Sequence, residues 1–160
     1  IHINLSDYSL NCPMFIDEIQ ELLSSQLLPH GKLCFEISKQ NIEKKQPNTL
    51  QFIRQLSALG CRFCLDDVDG DLTIFHKIQN LPIYMIKVDP TLSVRATFQE
   101  HSAIMVRAMV EMAHLLGIQV VLQHIERPEM IETVQQITQP DFLQGFALHS
   151  PEPLSNLIDL

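Results

Sequence analysis

The residues best suited to chemistry lie between Cys61 and Asp71. There the sequence CRFCLDDVDGD sets Asp66 beside Asp67 and adds Asp69 and Asp71. Phe63, Cys64 and Leu65 just before them read as a buried strand. Buried carboxylates are costly unless paired, hydrogen-bonded or bound to a cation. Either the strand has ended and the acids face water at its C-terminal edge, or they converge with polar residues of other strands on a metal ion or a phosphate. Comparable residues close the other apolar runs: Asn4, Glu36, Lys87, Gln123 and Gln144. Oxygens of Asn, Glu and Asp are the ligands that hard divalent cations take. A Lys beside them would position a water or stabilise developing negative charge. Asp67, Asp69 and Asp71 also imitate the opening of a calcium loop, but the glycine is misplaced and the twelfth position is Ile78 instead of Glu. His114, on an apolar helix, reads as a packed structural histidine, and His124 has no second His near it in the pattern.

These residues need a frame. At 160 residues the chain is one domain or part of one, and 46% apolar residues is ordinary for a globular core. The net charge of −8 argues against the basic surface that DNA or RNA binding requires. No apolar run reaches the roughly 18 residues that cross a bilayer. The chain opens at Ile1 without an initiator Met and already in a strand-like pattern, so a fragment of a longer protein is expected. Cys61 and Cys64 have C-x-x-C spacing, but within a strand residues three apart face opposite sides. With no second Cys or His pair to complete a zinc set, Cys12, Cys34, Cys61 and Cys64 are read as buried, reduced thiols of a cytoplasmic protein.

Strands and helices alternate along the chain. Expected strands are His2 to Ser6, Lys32 to Ser38, the run ending at Asp66, Tyr84 to Asp89, Gln119 to Glu126, and Phe142 to Leu148. Between them, helical spacing predicts helices over Pro13 to Gln26, from an N-cap at Asn48 to Gly60, over Thr73 to Leu81, over Ser102 to Leu116, and from Pro128 onward. The Ser102 to Leu116 helix is expected to turn Ile104, Met105, Ala108, Met109 and Met112 inward, and Pro151 and Pro153 lead into a last short helix. This alternation specifies an α/β fold with parallel strands and right-handed crossovers. Polar residues at each strand end, flanked by aliphatics, place the polar set toward a barrel axis and the aliphatics against the helices. An open doubly wound sheet would gather its polar groups at one switch point and carry a Gly-rich phosphate loop. The fold is therefore read as an incomplete TIM-like (β/α) barrel, about six of eight strands, with the shortfall at the N-terminus.

Six segments, in order, resemble the EAL family, named for a Glu-Ala-Leu motif. INLS resembles its strand with a metal-binding Asn, at Asn4. FEIS resembles E-I-T-E, with the first Glu at Glu36. LDDVDGD resembles D-D-F-G-T-G, with the Asp pair at Asp66 and Asp67. IKVD resembles K-I-D, with the catalytic Lys at Lys87. AHLLGIQVVLQHIE resembles A-H-x-L-G followed by V-V-A-E-G-V-E, and FLQGFALHSPEP resembles the closing Q-G-Y-x-x-x-x-P. The resemblance implies a barrel that hydrolyses the bacterial second messenger cyclic di-GMP with two Mg²⁺ or Mn²⁺ ions. It implies metal contacts from Asn4, Glu36, Asp66 and Asp67, catalytic roles for Lys87 and Asp67, and nucleotide contacts from Gln144 and Glu126.

The departures from the family pattern change that expectation. The strand with the signature Glu would lie upstream of Ile1. Lys39 stands where the second Glu of E-I-T-E steadies the loop after the Asp pair, and Gln123 replaces a metal-site Glu. His124 replaces a Gly, and Val68 to Asp71 replace F-G-T-G with two added negative charges. The expectation is thus a degenerate EAL-type signalling domain, catalytically inactive, acting as a cyclic di-GMP receptor or as an interaction module for a protein partner or a second copy. Its site is expected either to hold Mg²⁺ or Mn²⁺ or to have lost its metal. The alternative is an active phosphodiesterase once the missing N-terminal strands are present.

Overall fold

A computed structural model describes residues 1–25, 31–44, 47–153 and 156. Among them, six strands form one parallel sheet in sequence order: β1 (His2–Asn4), β2 (Cys34–Ser38), β3 (Arg62–Val68), β4 (Met85–Val88), β5 (Gln119–Leu122) and β6 (Phe142–Leu143). Each strand pairs with the next, with none of the order reversal of a doubly wound sheet, and the result is a half-barrel wall backed by helices.

Residue parity builds the wall as the sequence indicates. Phe35, Ile37, Phe63, Leu65, Ile86, Val88, Val120 and Leu122 are fully buried toward the helices. Phe15, Phe35, Phe52 and Phe63 interlock there with ring centroids 5.7 to 6.4 Å apart. Truncating a buried ring of this kind costs about 3–5 kcal/mol. Alternate positions face the axis, where Cys34, Cys64, Met85 and Val121 form a small apolar layer of their own. The C-x-x-C pair is split as the strand period requires, with Cys61 in the outer core and Cys64 in the inner layer. All four thiols are free, and Cys12 is only half-buried, a correction to its expected burial. Burial pushes the Cys34 thiol up to about 11 and raises Cys64 further, so neither is a nucleophile near neutral pH. β1 is the exception to the parity: all three residues are exposed, Ile3 included.

The helices are α1 (Asp7–Leu10), α2 (Pro13–Ser24), α3 (Lys39–Glu43), α4 (Pro47–Ala58), α5 (Thr73–Ile78), α6 (Pro90–Ala96), α7 (Glu100–Leu115) and α8 (Pro128–Ile137). Three are absent from the sequence reading because each is too short to show a period. Their caps were nevertheless legible. Ser6 accepts from Ser9 N ahead of α1, Ser38 and Asn41 box the start of α3, and Asp89 accepts from Leu92 N with Pro90 at the first turn of α6. Helix α4 begins at Pro47, whose fixed φ suits a first turn, so Asn48 lies inside the helix instead of capping it. The inward face of α7 is Ser102, Val106, Met109, Val110 and Ala113, while Ile104 and Met112 are exposed, because apolar residues on nearly every side of this helix leave the phase undetermined. Gly60 and Gly117 adopt left-handed φ after α4 and α7, as cap glycines do. The last β-strand stops at Leu143, well short of Leu148. Gln26 and, Asn156 excepted, the short helix expected beyond Pro153 lie outside the described residues. No described helix is long and apolar enough to cross a membrane.

Candidate functional site at the strand ends

The strand ends bring Glu36, Asp66, Lys87 and Gln123 together, each on the axis side of its strand. Glu36 is buried, and its Oε1 receives Lys87 Nζ at 2.6 Å and lies 2.7 Å from His2 Nδ1. Lys87 is thus paired with Glu36, not with the aspartate pair. Gln123 Nε2 donates to Asp66 Oδ1 at 3.1 Å and to the Val88 carbonyl at 3.2 Å. The backbone N–H of Asp67 donates to the same Asp66 oxygen at 2.9 Å. The amide of Gln123 thereby ties the ends of β3 and β4, and its backbone N–H rests on Ser93 Oγ of α6 at 3.3 Å.

The register explains how Asp66 and Asp67 are aimed. Leu65 pairs with Ile86 but Val68 pairs with Val88, so β3 carries one more residue than β4 across this interval. That is a β-bulge, a device that re-aims side chains next to sites. Asp67 absorbs it with φ +56°. Burial, then the charges of Asp66 and Asp89, push the Asp67 carboxyl above the usual carboxylate range, against a smaller pull from Lys87. His124 is also left-handed, at φ +57°. This gives a backbone reason for the Gly that the EAL pattern has there: the turn needs positive φ, and the imidazole is the departure.

Asn4 is exposed at the end of β1, with Glu36 as its Cα partner in β2. Gln144 is exposed and lines, with His2, Cys34, Glu36, Lys87 and Val121, a concavity of about 590 Å³ on the inner wall. Its backbone is fixed more firmly than its side chain: Gln144 N donates to the Leu122 carbonyl and its own carbonyl accepts from Ile125 N. The chain passes so close to Ile125 at the next residue that a Cβ on Gly145 would fall 2.2 Å from the Ile125 carbonyl oxygen, which admits only glycine. Glu126 is exposed beyond β5 and apart from these bonds.

The polar groups at the mouth do not fit a pair of divalent ions in this arrangement. An ammonium and an imidazole stand on Glu36, and an amide N–H stands on Asp66, in positions where a cation would place its own charge. Among the described residues no group of three or more His, Cys, Asp or Glu side chains forms a cation cage.

Beside the mouth, Lys39 opens α3 and its Nζ donates to Asp69 Oδ1 at 2.5 Å. Burial works against its charge, but the hydrogen bond and charge of Asp69, with Glu43 and Asp71, outweigh it and raise the Lys39 pKa. Asp69 is desolvated too, yet the bond from Lys39 and the Asp71 N–H hold its carboxyl below the usual range. His2 was missed in the sequence. The signal was there: it sits two residues before Asn4, hence on the same strand face.

The comparisons with known proteins bear on the family and the fold. The chain is 26% identical over 156 residues to PdeB, a cyclic di-GMP phosphodiesterase of Shewanella oneidensis, covering 98% of this chain and 18% of that protein. It is 24% identical over 152 residues to PdeA, a cyclic di-GMP phosphodiesterase of Borreliella burgdorferi, covering 95% of this chain and 22% of that one. It therefore spans about a fifth of the length of those two relatives. Among solved structures, the PaMucR phosphodiesterase in its c-di-GMP complex superposes with a TM-score of 0.86 at 23% identity, covering 99% of this chain and 64% of that one. The FimX EAL domain of Pseudomonas aeruginosa bound to c-di-GMP gives 0.85 at 20% identity, covering 94% and 62%. These likenesses establish the fold. The profile of the EAL domain matches residues 1–151, and the chain belongs to the EAL domain family.

Proposed function

We propose that this chain is a degenerate EAL domain that binds cyclic di-GMP without hydrolysing it, and passes the bound state to a protein partner or a second copy in bacterial signalling. One observation carries the reading: two of the three carboxylates expected to hold metal already accept the protein's own donors, Glu36 from Lys87 and His2, and Asp66 from the amide of Gln123. Such a mouth keeps its shape without an ion, because each buried charge has a partner. The Lys87 ammonium offsets the charge of Glu36 and so lowers the repulsion that a phosphodiester would meet, and Lys87, Gln144 and Glu126 remain as polar contacts for phosphate and base. The domain is assigned to cytoplasmic signalling.

Calorimetry with cyclic di-GMP tests this on the full-length protein. Binding that persists in EDTA, with no linear dinucleotide formed in Mg²⁺ or Mn²⁺, is the expected result. Absence of binding would leave an interaction scaffold in its place. A second reading is favoured by the relatives PdeB and PdeA: an active, metal-dependent phosphodiesterase, in which Asp66 and Glu36 would serve as metal ligands. Metal-dependent turnover that Asp66→Asn abolishes would establish that reading and remove the first.

A further inference from the structure

By sequence alone, Lys39 and the pair Asp69 and Asp71 look like two separate losses: a steadying carboxylate replaced by an ammonium, and a glycine-rich loop burdened with charge. The structure joins them. Lys39 is only 7% exposed. Its Nζ lies 2.5 Å from Asp69 Oδ1, 3.7 Å from Asp71 Oδ2 and 3.5 Å from Glu43 Oε1. Lys77 of α5 reaches the same Glu43 oxygen at 3.2 Å. The loop is further bonded along its own length: Asp71 N donates to Asp69 Oδ1 at 3.0 Å, and Thr73 gives Asp71 its N–H at 3.0 Å and its hydroxyl at 2.9 Å. Gly70 lies against Met105 of α7, where a Cβ would sit 3.0 Å from the Met105 Cγ. The 69–73 loop is thus held by α3 on one side and α7 on the other.

We infer that Lys39 is a positioning residue, a charge-reversed latch by which α3 holds the 69–73 loop and, through it, the Asp66–Asp67 bulge of the nucleotide site. The mechanical link is short. Lys39 directly follows Ser38, whose Cα partner in β3 is Asp66. Asp69 is separated from Asp67 only by Val68, which is fully buried and paired with Val88. A carboxylate at position 39 would face Asp69, Asp71 and Glu43 at close range and repel all three. An ammonium there, without the aspartates, would be a buried charge with Glu43 alone. Each departure therefore requires the other, and together they keep the loop ordered with its polarity inverted. The inference rests on the reading that the strand-end mouth takes a cyclic dinucleotide.

The test compares wild type with Lys39→Met, Lys39→Arg, Lys39→Glu and the double variant Lys39→Glu with Asp69→Lys, all in the full-length protein. Two measurements are made on each: cyclic di-GMP affinity by calorimetry, and amide hydrogen exchange of residues 69–73 against that of the central strands. Lys39→Met is expected to weaken binding about tenfold and to speed exchange at 69–73 while the strands stay protected. Lys39→Glu is expected to be worse, and both Lys39→Arg and the double variant to recover most of the affinity and protection. Unchanged binding and exchange in Lys39→Met would overturn the latch. So would a double variant no better than Lys39→Glu, since a role limited to packing gives no rescue by charge exchange. If the wild type binds no cyclic di-GMP, the proposed function falls and the exchange data alone decide the latch, by the same rescue criterion.

Discussion

The mouth of the half-barrel and the loop at its rim have each exchanged charge relative to the EAL pattern, and the two exchanges act differently. At the mouth, Gln123 removes a carboxylate and its amide then bonds Asp66, while Lys87 and His2 close on Glu36. In the loop, Lys39 replaces a carboxylate and two new aspartates, Asp69 and Asp71, arrive to meet it. At the mouth, internal donors stand on Glu36 and Asp66. The loop has kept an internal ion pair and inverted it. The difference separates two requirements that a metal enzyme couples: an ordered scaffold around the site, and cation ligands free to accept a cation. In the proposed reading, this chain retains the first by compensation and alters the second.

The largest effect that could break this contrast is expected from Glu36→Gln. It leaves the Lys87 ammonium, with a side chain only 12% exposed, facing a neutral amide. Removing one partner of a buried pair costs about 3 kcal/mol, read as a lower urea midpoint at unchanged slope. A neutral result would mean that Lys87 does not depend on Glu36 and that the mouth is not self-neutralised. Next in size, Gln123→Glu returns a carboxylate to the side of Asp66. Without metal it loses a hydrogen bond to a charged group and gains repulsion, about 2 kcal/mol of stability. Mn²⁺ should then raise the melting temperature of Gln123→Glu more than that of wild type. An equal response in the two would erase the distinction between a mouth built for an ion and one built without it.

Much of this was legible in the chain. The alternation of Cys34 and Glu36 with Phe35 and Ile37 fixes which side of β2 faces the axis, and the same reading works in β3, β4 and β5 because a two-residue period admits no third choice. What escaped was conformational or distant in sequence. The bulge at Asp67 carries no Gly or Asn to announce positive φ. Helix α7 has apolar residues on almost every side, so Ile104 and Met112 looked inward when they are not. Lys39 and Asp69 are 30 residues apart, and a compensating pair read one residue at a time counts as two defects. Resemblance named the candidate site residues, but the sign of each departure depended on contacts only the fold supplies.

His124→Gly offers a smaller effect in the opposite direction. A left-handed side-chain-bearing residue is strained by roughly 1–2 kcal/mol, and glycine returns part of that as greater freedom in the unfolded chain. A net gain of about 1 kcal/mol is expected, with cyclic di-GMP affinity unchanged if the imidazole only adds bulk at the rim. A drop in affinity would make His124 a contact of the site and the rim part of what has been rebuilt.

The smallest effect is also the most discriminating. The carboxyl of Asp67 is pushed up by burial and by Asp66 and Asp89. A group whose folded pKa lies above its unfolded value, about 3.9 for Asp, holds its proton more tightly in the folded state. The stability it lends is complete below that value and is lost as pH rises through the raised pKa. At neutral pH the ionised Asp67 is thus a cost to the fold. Asp67→Asn removes the charge, and Asn tolerates the left-handed backbone at least as well. Stability should rise slightly at pH 7, because solvent screens much of the effect at this exposed position, with the gain shrinking toward zero as pH falls below the usual carboxylate range. Weaker binding of cyclic di-GMP in the same variant would mean that the strain at Asp67 is retained for the ligand, since a residue kept only for packing is not expected to destabilise its own fold. Unchanged binding would confine the ligand to the Glu36, Lys87 and Gln144 side of the mouth and leave the bulge as a relic of the loop that Lys39 now holds.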